Sequence, residues 1–177
     1  MTRRPAVVGD PGSVSRTAAG AAGGAARLVD AGATVVTANA ELARGWTGAA
    51  ARRTTGEIRA LWAATDATAG ELAAVGSLLQ THAQTLAAAL AQLRQLTEQA
   101  QAAGLVLDSG RVRPALGVRG SADRAQESAR RAEQDLLQES LTRLLKEFRT
   151  RRSLVRGVLV RSTDRLAATA ATTRSGG

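Results

Sequence analysis

His82 is the one histidine among 177 residues, and the chain has no cysteine. General acid–base work by an imidazole needs a nucleophile or a carboxylate within hydrogen-bond reach. The nearest carboxylates in sequence, Glu71 and Glu98, lie more than two helical turns away. An isolated His at this position reads as a polar residue on a helix–helix seam, satisfied by a partner. Serine and threonine are plentiful, yet none stands in the strained strand-to-helix turn that exposes a nucleophilic hydroxyl. Gly20-Ala21-Ala22-Gly23-Gly24 lacks both the preceding strand and the lysine of a phosphate-binding loop. Without cysteine there is no disulfide, thiolate or Cys-ligated zinc, and a single His gives no transition-metal set. The expectation is a protein that is not an enzyme, with no cofactor, no metal and no small-molecule substrate.

Charge is the second chemical resource. The formal net charge is +9, with 24 Lys and Arg of which only Lys146 is lysine. The segment from Arg143 to Arg165 carries eight of these cations against Glu147 and Asp164. At about 100° per residue, Lys146, Arg149, Arg152 and Arg156 spread over a broad arc, while Arg143, Arg161 and Arg165 flank the apolar stripe on its other side. A solvated helix face is the plain reading. Contact of Arg149, Arg152 and Arg156 with an anionic membrane surface or nucleic acid is the alternative. Nucleic acid is the weaker of those two partners, because no aromatic stacking platform accompanies the charge.

The elements that position these residues are helical. Hydrophobic residues make up 44% of the chain, but alanine dominates them, which favours helices and close axial approach over a large apolar core. Asp10-Pro11 is a good helix start. From there to Arg44 a heptad spacing runs through Val14, Ala21, Leu28, Val35 and Leu42, with Ala18, Ala25, Gly32 and Asn39 at the opposing positions. Four internal glycines weaken this helix, so it needs packing. A second helix, about 49–103, steps by threes and fours from Ile58 through Leu72, Val75, Leu79, His82 and Leu86 to Ala103, a coiled-coil seam. At 1.5 Å per residue it spans roughly 80 Å against about 50 Å for the first, so its far half needs another partner. Gly104 closes it. Residues 104–120 read as a linker, and a third helix runs from Ser121, with Asp123 in its first turn, to about Ala170. Its stripe of Leu137, Leu141, Leu144, Phe148, Val155, Leu159 and Leu166 is the candidate cover for the overhang. Residues 1–9 read as a flexible lead and 171–177 as a tail. The expected fold is all-α: an antiparallel helical hairpin over 10–103 with a basic third helix, forming a coiled-coil-like bundle.

Between the first two helices stands Gly45-Trp46-Thr47-Gly48. With three aromatic residues in the chain and no tyrosine, an indole in a turn is unlike filler. Gly45 can take the left-handed conformation that ends a helix, Thr47 or Gly48 can cap the next, and Trp46 can fold over both helix ends. Trp62, beside the seam, reads as core packing or a lid over the third helix. No window holds the roughly 18 apolar residues of a membrane-spanning helix. Arg3-Arg4 faintly suggests a twin-arginine start, but Gly9-Asp10-Pro11-Gly12 interrupts the apolar run behind it, so no signal peptide is expected.

Trp46-Thr47-Gly48 at a hairpin tip, between an Ala-rich helix and a longer heptad-patterned one, resembles the WXG-motif family of small actinobacterial type VII secretion proteins. Gly9-Asp10-Pro11 resembles the opening of related type VII secretion-signal domains. The resemblance covers about residues 9–103. It implies a non-enzymatic hairpin that pairs with itself or a similar hairpin, as a homo- or hetero-dimer, and leaves the cell folded through an ATP-driven secretion machine. Trp46, Thr47 and Gly48 would then shape the turn, and Leu28, Val35, Leu42, Ile58, Leu72, Val75 and Leu86 would form the pairing interface. Two features depart from the family: there is no Tyr-X-X-X-Asp/Glu export signal, and the third helix is an extension.

Overall fold

The computed structural model describes residues 7–115 and 124–175. The fold is all-α: helix α1 (Pro11–Leu42), helix α2 (Ala49–Ala102), strands β1 (Leu105–Asp108) and β2 (Arg111–Pro114), and helix α3 (Arg124–Ser175). The helices are packed in two compact units, one from the described parts of 1–11 and 82–154, the other from those of 12–81 and 155–175.

In the unit holding 12–81, α1 and α2 run antiparallel. Ser15 Oγ donates to Gln80 Oε1 at 2.9 Å, Gly24 faces Leu72, and Gly32 faces Trp62. The buried line of α1 is Ala18, Ala25 and Gly32, one heptad apart. The large residues at the opposing heptad positions, expected as the seam, stay at its margin or in solvent. The reason is steric: α2 brings the bulk, and it needs hollows opposite. A Cβ at Gly32 would lie 1.9 Å from Trp62 Cζ3, so the indole rests directly on the α1 backbone. Near the other end the roles reverse, since a Cβ on Gly76 of α2 would come within 3.0 Å of the Ala18 carbonyl oxygen. Two backbones approaching this closely gain dispersion contacts that offset part of the glycines' helix penalty.

The left-handed residue at the bend is Gly48, with φ of 107°; Gly45, expected in that role, has no positive φ. The chain leaves α1 through short turns, with Gly45 N–H and Trp46 N–H both donating to the Leu42 carbonyl at 3.2 and 3.0 Å. With the Asn39 and Glu41 carbonyls accepting from Ala43 and Arg44, these bonds occupy the last carbonyls of α1 without a left-handed residue. Trp46, expected to fold over both helix ends, keeps 41% of its surface exposed.

α3 packs antiparallel to α2 in the same unit. Arg165 Nη2 donates to Glu71 Oε1 at 2.8 Å, and Ser162, almost fully buried, also hydrogen-bonds the Glu71 carboxylate. These two donors, Ser162 foremost, hold the Glu71 carboxyl below its ordinary value of 4.5 against a smaller opposing effect of burial. A lowered acid pKa adds stability above the unfolded value and gives it up as pH falls through the folded one. The melting-temperature gap between the natural chain and Glu71→Gln is therefore expected to be full at pH 7 and to close as the buffer is taken below about 4.5. A gap that stays constant from pH 7 to pH 3 would show that the carboxylate's charge does not contribute.

In the other unit, residues 82–102 of α2 are covered by 124–154 of α3, as the overhang argument requires. Leu137, Leu141, Leu144, Leu145 and Phe148 are buried along one face of α3, with Leu86, Ala89, Leu96 and Ala100 buried on α2. Part of the expected flexible lead is packed here: Val7 is buried and Gly9, at φ 147°, sits over the Leu86 side chain, while Val8 between them is exposed. The expected linker 104–120 contains an antiparallel β-hairpin pairing Leu105 with Pro114 and Asp108 with Arg111. Ser109 and Gly110 have φ of 51° and 83°, the double left-handed turn that matches strand twist. Gln138 accepts from Val112 N–H at 2.8 Å and donates to the Gly110 carbonyl, while Gln134 donates to the Val112 carbonyl at 3.1 Å. The remainder of that linker, the Ser121 cap and Asp123 lie outside the described residues.

Candidate pairing surface

The unpaired chemistry of the α1–α2 unit lies toward its bend. α1 beyond Gly32 has no buried residue, and α2 before Trp62 has only Ala51. Val35, Val36, Leu42, Trp46 and Leu61 are each between 41% and 57% exposed. Val35 and Leu61 border an apolar hollow of about 210 Å³, lined also by Leu28, Ala31, Gly32, Ile58, Trp62 and Thr65. Contiguous exposed apolar surface of this kind is characteristic of interaction sites.

Of the seven residues expected to form the pairing interface, Leu28, Val35 and Ile58 line this hollow and Leu42 is exposed beyond it. Leu72 is half-buried against Gly24, and Val75 is half-buried on α2. Leu86 does not belong with them: it is buried in the other unit, beneath Gly9. The heptad step that reaches Leu86 is continuous along α2, but its contacts are made by a different part of the chain. Thr47 and Gly48 are exposed with Trp46 at the bend.

Two features were not legible as site elements. Trp62, expected as core packing or a lid over the third helix, packs on Gly32 of α1, a partner that a one-residue offset from the seam does not reveal. The Glu71, Ser162 and Arg165 cluster joins residues more than 90 positions apart, and no local pattern announces it. His82, expected to be satisfied by a polar partner, stacks on Phe148 with ring centroids 6.2 Å apart and planes 18° from parallel. Its Nδ1 is buried, and no described group hydrogen-bonds to it.

Arg149, Arg152 and Arg156 are exposed on α3. Among the described residues no three of His, Cys, Asp and Glu gather to hold a metal, and no helix is long and apolar enough to cross a membrane. Comparison with protein families, with characterised proteins and with solved structures finds no match to this chain.

Proposed function

We propose that this chain is a non-enzymatic helical-hairpin interaction module of a type VII secretion system, acting as a substrate or partner chain that pairs with itself or with a similar hairpin. The observation that carries the reading is the apolar strip left exposed at the bend by α1 and α2. A two-helix layer buries one stripe per helix, and the remaining stripe is covered only by another layer. The Trp46-Thr47-Gly48 resemblance supplies the secretion context, in which a secretion ATPase is the machine that would receive the pair.

Sedimentation equilibrium of the full chain, alone and co-expressed with any hairpin chain encoded beside it, tests the pairing. The expected result is a dimer that persists from 0.1 to 1 M NaCl, since apolar burial responds little to screening. Val35→Asp and Leu42→Asp should abolish it with helicity unchanged, because each places a charge in a surface that pairing must dry. A chain that is monomeric alone and in the co-expressed sample, at every salt concentration, would refute the proposal. An adjacent gene for a membrane ATPase or a second Trp-X-Gly chain would support the secretion context.

A second reading rests on the exposed Arg149, Arg152 and Arg156 of α3, for which no ion pair with a described acid is present among the salt bridges of the helix. Here α3 would hold an anionic membrane surface or nucleic acid while the hairpin serves as scaffold. Its signature is binding to anionic vesicles or DNA that weakens steeply between low and physiological salt and is lost in Arg149→Glu/Arg152→Glu.

A further inference from the structure

A groove of about 500 Å³ lies within the unit formed by 12–81 and 155–175, walled by all three helices through Leu28 of α1, Leu61 and Leu72 of α2, and Leu166 of α3. It shares Leu28, Leu61 and Thr65 with the hollow that ends at Trp62 and Val35, so the two form one apolar path. Four threonines line it as well, and three of them spend their hydroxyl protons inside their own helices. Thr68 donates to the Ala64 carbonyl, Thr169 to that of Arg165 and Thr173 to that of Thr169. Apart from the Thr65 hydroxyl, such walls offer no directed donor to a sugar, nucleotide or other polar ligand.

One charged side chain lines the groove, Arg174 in the last turn of α3. Its Nε donates to the Ala170 carbonyl at 3.0 Å, which fixes the guanidinium there and leaves its Nη groups for a ligand. None of the described salt bridges involves it. Antiparallel packing sets Arg174 level with Leu61, at the end of the groove away from Leu72 and Leu166. An apolar groove with a single fixed guanidinium at one end is complementary to an unbranched tail carrying one anionic head.

We propose that this groove binds a free long-chain carboxylic acid, its tail along Leu28, Leu61, Leu72 and Leu166 and its carboxylate on Arg174. The inference goes beyond hairpin pairing and does not rest on it: Leu28 and Leu61 belong to both surfaces, but Arg174, which holds the anion, lies on α3 and is not part of the pairing surface. Sedimentation of the same samples keeps the two apart.

Calorimetric titration of the full chain with decanoate, laurate and myristate, each below its micellar concentration, tests it. Binding should be one to one and tighten about fourfold per added methylene, the factor for moving one CH₂ out of water. Arg174→Gln should weaken laurate about tenfold or more and leave dodecanol binding unchanged, which separates loss of the cation from loss of the fold. Ala170→Trp, which fills the groove from a position exposed to solvent, should weaken both ligands, with circular dichroism confirming intact helices. No saturable binding at any chain length, affinity independent of length, equal weakening of acid and alcohol by Arg174→Gln, or association with anionic bilayers alone would each overturn the assignment.

Discussion

Gly32→Ala is expected to destabilise the chain by about 2–3 kcal/mol, the upper part of the overpacking range, lowering the melting temperature by roughly 5–10 °C. The direction runs against helix propensity, which favours Ala over Gly by about 1 kcal/mol. Sterics decide, because the added methyl would lie 1.9 Å from Trp62 Cζ3 and 2.2 Å from Cε3, and the indole cannot remain where it is. Gly20, in the same helix, has nothing within 4 Å of the equivalent position, so Gly20→Ala should instead stabilise by about 0.5–1 kcal/mol. Combining Gly32→Ala with Trp62→Leu should recover part of the loss, since the smaller side chain can tilt away from the methyl. Thermal unfolding of the four chains followed by circular dichroism reads all of this. A Gly32→Ala protein as stable as Gly20→Ala would mean that Trp62 does not rest on α1.

Leu141→Ala is expected to cost about 2–5 kcal/mol, the range for truncating a buried leucine with incomplete collapse of the cavity. Leu141 is 1% exposed, and Leu137, Leu144, Leu145 and Phe148 are buried along the same face of α3. On the same helix Leu136 is 61% exposed, so Leu136→Ala should change stability by no more than about 0.5 kcal/mol. Urea unfolding of the two variants at constant m-value gives the comparison directly. Near-equal effects would contradict the assignment of the buried face of α3.

The helices were legible because their signals are local and repeated. Pro11 opens α1, Gly104 closes α2 at a φ of 69°, and the stripe of α3 is buried from Leu137 to Phe148 and half-buried at Val155, Leu159 and Leu166. On α1 both the large and the small heptad positions read as seam, and the buried ones are the small Ala18, Ala25 and Gly32. Heptad spacing does not choose between them, but where two helices nest at glycine and alanine the small residues are the buried ones. The β-hairpin was passed over because Pro114 and the arginines suggest a linker. The signal was nevertheless present in the alternation of Leu105, Leu107, Val112 and Pro114 around Ser109-Gly110, a two-residue turn dipeptide. Trp46 was the opposite case. A rare residue in a turn is visible at once, but its position in sequence does not say whether its side chain faces the helices or the solvent.

The pairing of β2 with the amides of Gln134 and Gln138 has a consequence for solubility. A two-stranded ribbon ordinarily presents raw margins on which another chain can propagate, the route by which stray strands seed aggregation. On the β2 side the Val112 N–H and C=O are already occupied by a pair of side chains one helical turn apart. The carboxamides thus stand where a third strand would otherwise lie, and a helix supplies the guard rail that a ribbon this short cannot build for itself.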